Sequence, residues 1–526
     1  MITGLESSLS VLRRRYQVLP LFDPGWPASM SDGDSATVDL FEYMLHSVTL
    51  RDPMQPQGGI RMPVGNRNAV VNAKLWAVLG IMSLLHAPLL RCDEIDDYVQ
   101  AQMRWERIPG VSIAVVRDGK VLRANGYGLS NLETKTPAAP DTVYKMGSLS
   151  KQFLAAGLMV LVQDGKVGLD DSVAKYLPDV PETWKAITVR NLLTHTSGIA
   201  RDSRSFDPLK LQPDDEVIRS VYSVPLQFAP GSRFAYSNIN YYCVAEIIRT
   251  VAGTPWADFI AQRIFAPAGL TSTRTTTMTD IVPHRASGYE TAGTRLKNAD
   301  FWIALRPSGA FLSTVLDLAK WDNVLNSDRI LAAATRAEMW TPARLTDGSI
   351  HGYGFGWFVD EMNGHRRVHH SGGVPGFVCD MEKFPNDGLT VVVMANIGSR
   401  DLEDMAVHIA AHYRPALKPV DSPALPDTGA ARSSAVRLLL SDLAAGKLLT
   451  HSVTSELRSE LESQKNAGAF DTLQSFGPVL STDLIQQQAK DGRQIYTFRV
   501  AYRSITLFAE CSVNADNKLS QFGLHD

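Results

Sequence analysis

Between Asp93 and Tyr413 the apolar positions change period several times. In "IDDYVQAQMRWERI" they fall at Ile95, Tyr98, Val99 and Met103, one face of a helix. "VSIAVVRDGKVLRANGYG" predicts two strands joined at Asp118-Gly119. A helix is predicted after Ser148, with Phe153, Leu154, Leu158, Leu161 and Val162 on its apolar side. Further helical text follows: "VRNLLTHTSGI" stopping at Gly198, "YYCVAEIIRTVAG" stopping at Gly253, and "WADFIAQRIFAPAGL" directly after. Then "RRVHHSGG", "GFVCDMEKF" and "LTVVVMAN" predict strands, with turns at Gly372-Gly373 and Asn386-Asp387-Gly388. "LEDMAVHIAAHY" closes the region as a helix. Strands at both ends and helices between them predict an α+β fold. Its antiparallel sheet is flanked by helices and interrupted by an all-helical insertion.

The pattern changes at both ends of this region. "RPALKPVDSPALPDTGAARSS", residues 414–434, is rich in Pro, Ala and Ser and predicts a linker. Beyond it, residues 435–526 offer two amphipathic helices, "AVRLLLSDLAAGKL" and "VTSELRSELESQ", then three or four alternating strands. That is a separate small α+β domain of ordinary size. Residues 1–92 form an N-terminal extension, of which 1–61 show little periodicity. "LWAVLGIMSLLHAPLL", residues 75–90, is an apolar run of sixteen, the length of a signal-peptide core rather than a membrane span. Translation starting at Met62 would make "MPVGNRNAVVNAK" its basic leader; a buried helix is the alternative. The leader reading implies a periplasmic or secreted protein, and residues 75–90 would offer membrane association if they stay uncleaved. Arg91 makes "LLRC" a poor lipoprotein signal.

Composition excludes some classes. A net charge of −3, without a long single-sign run, gives no basis for nucleic-acid binding. Cys92, Cys243, Cys379 and Cys511 are scattered, with no C-x-x-C, and read as free or buried thiols. "GHRRVHH" carries His365, His369 and His370, but strand alternation sends His369 and His370 to opposite faces. No metal and no cofactor are expected.

The candidate chemistry is acyl transfer. Ser148 and Lys151 stand three apart at a predicted helix start, where the helix dipole favours developing negative charge. Lys151 is one turn on and within reach of the serine oxygen, and burial would suit it to act as a base. Ser172 and Lys175, in "LDDSVAKYLP", repeat the spacing but read as a short exposed helix ending at a proline. In "FAPGSRFAYSNINYY", Tyr236 and Asn238 sit in a loop between a Pro-Gly turn and a helix. In "VHHSGGVPGF", His370, Ser371 and Gly372 end a strand whose paired glycines let a ligand approach the backbone.

In this order the three elements resemble the serine β-lactamase and penicillin-binding-protein superfamily, in its class C branch of β-lactamases, DD-peptidases and β-lactamase-like esterases. The resemblance spans Ile95 to Tyr413 and includes "LLTHTSGI", "SGAFLSTVLDLAKW", "YGFGW" and "FPNDGLTVVVMAN". Ser-Asp-Asn and Lys-Thr-Gly are absent, unlike class A. The resemblance implies a β-lactamase/transpeptidase-like fold with Ser148 as nucleophile and Lys151 as its activator. Tyr236 would be general base, as a phenolate or through a relay, and Asn238 would hold Lys151 and the substrate amide. Backbone N–H groups of Ser148 and Gly373 would form the oxyanion hole, with His370, Ser371 and Gly372 binding substrate.

His370 stands where class C β-lactamases carry lysine, which ranks broad ester or amide hydrolysis, esterase-like or D-amino-acid-peptidase-like, above dedicated β-lactamase activity. The implied partners are a small ester, a β-lactam or a D-amino-acid peptide. A protein that acylates without turnover, a penicillin-binding sensor, is the alternative of another class. The C-terminal domain resembles cystatin-like or NTF2-like modules.

Overall fold

The structure is a computed structural model. It describes residues 93–526 apart from 276, 278, 294, 301–306, 399, 421, 427–429, 448–452, 467–469, 491–492, 517 and 526. The expectations for Met62, Cys92 and the apolar run 75–90 lie outside the described residues.

The sheet is built from both ends of the region. Helix α1 (Glu94–Glu106) leads into strands β1 (Gly110–Arg117), β2 (Lys120–Asn131) and the short β3 (Thr136–Pro137). Strands β4 (Phe358–Met362), β5 (His365–Val374), β6 (Phe377–Phe384) and β7 (Leu389–Ala395) come late in the chain. Their order is β4-β5-β6-β7-β1-β2-β3, antiparallel throughout. The β1–β7 pairing, with Val111 opposite Ala395 and Val115 opposite Val391, joins the two ends.

Both faces of this sheet are covered, which is why β1 reads as a nearly unbroken apolar run. Alternation sends Ala114, Val116, Met381, Val392 and Met394 to a core shared with helix α2 (Lys151–Gln163). It sends Ile113, Val115, Val391 and Val393 to a second core under α1 and, later in the chain, the helix Glu403–Tyr413. α2 is enclosed on all sides, with Phe153, Leu154, Leu158 and Leu161 fully buried. Truncating one such leucine to alanine costs about 2–5 kcal/mol.

Two expected boundaries move. The helix at Val189 ends at Leu193 rather than Gly198, because Thr194 Oγ1 donates to the Arg190 carbonyl and His195 takes a φ of 56°. β5 runs through Gly372-Gly373 to Val374, and the reversal falls at Pro375-Gly376. Gly372 serves close packing, not a turn. Helix α3 (Asn238–Ala252) does end as expected, on Gly253 in the left-handed region.

Helix α4 (Glu403–Tyr413) closes the region. Helix α5 (Ala430–Ala444) begins inside the expected linker, where "AARSSA" supplies helix-forming residues. Helix α6 (Ser455–Asn466) and strands β8 (Ser481–Lys490), β9 (Arg493–Ala501), β10 (Thr506–Val513) and β11 (Leu519–His525) follow. The strands form a consecutive antiparallel sheet over a core of Val436, Leu440, Leu457, Phe498 and Leu507. α1 serves two cores. Ile95 and Val99 enter the one beneath the large sheet, while Ala101 enters the C-terminal one and Trp105 packs on Phe476. Cys243, Cys379 and Cys511 are buried and form no disulfide among the described residues. No described helix is long and apolar enough to cross a membrane.

Candidate active site

Ser148 lies in a single 3-10 turn, Gly147–Ser150, directly ahead of α2, whose first residue is Lys151. Gly147 has a φ of 52°, and a Cβ there would stand 2.7 Å from the Gly373 nitrogen. Only glycine satisfies both conditions, so this position brings Ser148 beside β5.

Lys151 is fully buried. Its Nζ donates to Ser148 Oγ at 3.0 Å, Asn238 Oδ1 at 2.9 Å and the Ser308 carbonyl at 3.0 Å. Three neutral acceptors match the three hydrogens of an ammonium. The Tyr236 and Tyr241 rings, centred 4.8 and 5.6 Å from Nζ, add aromatic faces toward the charge. Asn238 is oriented from its other end, since its Nδ2 donates to Asp202 Oδ1 at 2.9 Å.

Tyr236 leaves the chain just before Ser237, which caps α3 through the Asn240 N–H. Its Oη is buried, with no well-aligned hydrogen bond from the described residues. Burial pushes the phenol well above its ordinary range, and the nearby Ser148 hydroxyl and the Arg201 charge only partly offset that. The Tyr236 ring tilts against His195 at 4.3 Å. His195 Nδ1 accepts from the Ser237 N–H at 3.2 Å, and burial followed by the Lys151 charge holds the imidazole neutral.

β5 extends past the end of β4 from His370 onward, so its free edge lies beside the Ser148 turn. A Cβ at Gly372 would fall 1.9 Å from the Met146 carbonyl. At Gly373 it would meet open space, and Ser371 is exposed. His370 departs from the expectation of a ring offered to substrate. It is 2 % exposed, its Nδ1–H donates to the Ser371 carbonyl at 2.6 Å, and its Nε2 accepts from Tyr353 Oη at 3.1 Å. Both ring nitrogens are thus occupied by the protein. Burial, then the Lys151 charge, pulls its pKa down to about 3, so it does not charge near neutrality.

The structure therefore brings Ser148, Lys151, Tyr236 and Asn238 together, with Gly373 alongside, and turns His370 inward. Sequence reading missed three contributors. The Ser308 carbonyl is backbone and carries no side-chain signal. Asp202 acts on Asn238 from a distant loop. His195 stood in "LLTHTSGI", which was read as a helix end and as part of the resemblance, with no role for the histidine.

Residues 95–414 match the Beta-lactamase family. The chain belongs to that family. Among curated relatives, Penicillin-binding protein 4* of Bacillus subtilis (strain 168) is 29 % identical over 336 residues, 60 % of this chain and 74 % of that protein. Protein flp of Staphylococcus aureus (strain N315) is 28 % identical over 326 residues, 60 % of this chain and 65 % of that protein. The chain thus spans just under two thirds of the flp relatives it matches. The octameric penicillin-binding protein homologue from Pyrococcus abyssi superposes with a TM-score of 0.58 at 21 % identity, over 83 % of this chain and all of that one. That likeness establishes the fold. D-amino acid amidase from Ochrobactrum anthropi SV3, complexed with D-phenylalanine, gives 0.53 at 26 % identity, over 61 % of this chain and 98 % of that one. The family is one of serine hydrolases built on the β-lactamase fold.

Proposed function

We propose that the chain hydrolyses ester or amide bonds through an acyl-enzyme on Ser148, with D-amino-acid amides, D-amino-acid peptides and short esters as its substrate class. The observation that carries this reading is the threefold contact of Lys151 Nζ with Ser148, Asn238 and Ser308. It pins an ammonium against the serine oxygen, with no carboxylate among those acceptors to neutralise it.

Ser148 Oγ attacks the substrate carbonyl carbon. Its proton passes to Tyr236 Oη while the Tyr236 proton passes to the leaving nitrogen or oxygen, so the phenol is neutral before and after. Burial of Tyr236 favours this relay over a standing phenolate. Lys151 stays charged and stabilises the developing alkoxide. The N–H groups of Ser148 and Gly373 receive the oxyanion. Water then repeats the sequence on the acyl-enzyme, and Ser148 leaves.

Dedicated β-lactam hydrolysis ranks second, because a neutral, inward-turned His370 supplies no fixed charge for a substrate carboxylate. The likeness to a D-amino acid amidase and to Penicillin-binding protein 4* supports the same ranking. The test is one preparation assayed on D-phenylalanine amide, a D-Ala-D-Ala peptide, short p-nitrophenyl esters and nitrocefin. Turnover of amide or ester above nitrocefin is expected. A burst without steady turnover on every substrate would make the protein a sensor and overturn the reading. Export through residues 62–90 belongs to the same proposal, and a mature N-terminus preceding Leu75 rejects it.

A further inference from the structure

Strand alternation places a second constellation on the face of β5 and β6 opposite the active site. Arg367 and His369 on β5, and Asp380 and Glu382 on β6, point into the layer closed by α4. In register His369 lies opposite Glu382, and Asp380 opposite Ser371. Asp380 is 1 % exposed and Glu382 is fully buried, and among the described residues no well-aligned hydrogen bond reaches any of their four carboxylate oxygens. His369 Nδ1 stands 3.2 Å from Glu382 Oε1, and its Nε2 stands 3.4 Å from Asp360 on β4. Glu403, at the start of α4, approaches from above. One donor atom each of His369, Glu382 and Glu403 lies within 4.8 Å of the others.

The cations present do not balance this. Four carboxylates, of Asp360, Asp380, Glu382 and Glu403, face two basic side chains, Arg367 and His369, and Asp401 adds to the negative field. Arg367 is committed to Asp360 through two bonds of 2.8 and 2.7 Å, and reaches Glu403 at 2.6 Å but Glu382 only at 3.6 Å. A buried carboxylate without a hydrogen bond or counter-ion is costly enough to demand an occupant.

We propose that His369, Glu382 and Glu403 bind one divalent transition-metal ion, zinc or manganese, with the buried Asp380 carboxylate beside it, and that the ion ties β5 and β6 to α4 behind the strand that carries Gly373. One imidazole nitrogen with several carboxylate oxygens is a donor set for those ions rather than for calcium. Donors around one tetrahedral zinc stand about 3.3–3.6 Å apart. A closure of about 1.5 Å or less, which the 39 % exposed Glu403 side chain has room to make, brings His369, Glu382 and Glu403 to that spacing. On the ion His369 is a neutral ligand, so the ion and Arg367 together set three positive charges against the four carboxylates. The sequence offered His369 only beside His365 and His370; its partners come from other elements.

The test uses the untagged full chain, stripped with chelator, dialysed against zinc alone or manganese alone, and read by elemental analysis, calorimetry and melting temperature. About one ion per chain is expected, with a rise in Tm. Glu403→Gln and Asp380→Asn should each weaken binding by about tenfold or more. Ser148→Ala should bind as wild type does, which separates this site from the catalytic reading. Glu403 is at the surface, so Glu403→Gln reports even where Asp380→Asn misfolds. No stoichiometric uptake by wild type overturns the proposal, as does uptake unchanged in Glu403→Gln. An Asp380→Asn chain more heat-stable than a wild type that takes no metal would assign the space to a shared proton, and equally overturns it.

Discussion

The chain contains Ser-x-x-Lys twice, and the two copies end in opposite states. Ser172 is a capping residue: its Oγ accepts from the Ala174 N–H at 3.2 Å and donates to the Lys185 carbonyl at 2.7 Å. Lys175 is 60 % exposed and sits 2.7 Å from the Asp171 carboxylate. At the other copy, Lys151 is fully buried and meets a hydroxyl, an amide oxygen and a carbonyl. Spacing gives both lysines the reach. What separates them is the acceptor: a carboxylate cancels the positive charge, while neutral oxygens leave it available to an alkoxide forming on the serine.

The largest test exchanges the serines. Ser148→Ala should lower kcat/KM on a p-nitrophenyl ester by about a thousandfold or more, and Ser172→Ala by less than about twofold. Steady-state kinetics on both variants checks it, and comparable losses would erase the contrast. The lysines come next. Lys151→Ala should cost about a hundredfold or more in kcat. It should also lower stability by about 1–3 kcal/mol, because the Asn238 and Ser308 oxygens lose their buried donor. Lys175→Ala should leave kinetics unchanged and lower neutral-pH melting no more than slightly.

Much of this contrast could be read before any coordinates. The apolar period at Phe153, Leu154 and Leu158 separated an enclosed helix from the exposed turn before Pro178, and Tyr236 and Asn238 stood in a recognisable loop. What escaped depends on contacts distant in sequence. Strand parity told which face His370 occupies, but not that Tyr353 closes that face. Gly372-Gly373 signals a tight approach and a turn equally well, and only the position of the Met146 carbonyl decides. The charged letters of "VCDMEKF" imply a solvent face, yet α4 covers Asp380 and Glu382. A sheet buried on both sides removes the cue that polar means outside.

pH sharpens the same comparison. His370, held near a pKa of about 3 by burial and then the Lys151 charge, stays neutral through the assay range. Tyr236, pushed upward by burial, keeps its proton beyond the ordinary tyrosine value. The kcat/KM profile should therefore show no limb near the usual histidine value of ~6.5. A limb near 6.5 that disappears in His370→Gln would return that residue to the proton chemistry.

The smallest effect belongs to the exposed copy. Bonds from Lys175, Tyr176 and the Gly168 N–H lower Asp171 to about 2. Because its folded value lies below the unfolded ~3.9, its stabilisation is present above that pH and lost as pH falls toward 2. Asp171→Asn should thus melt slightly below wild type at pH 6, match it at pH 2, and hydrolyse ester normally at pH 7.

The measurement that bears most directly on the difference between the two serines is peptide mapping of the covalent adduct. Wild type is labelled with a fluorophosphonate, digested, and sequenced by mass spectrometry. The account predicts the label on Ser148, in the peptide between Lys145 and Lys151, and none in the Ser148→Ala protein. A label on Ser172 or any other residue, or one that survives in Ser148→Ala, would contradict it.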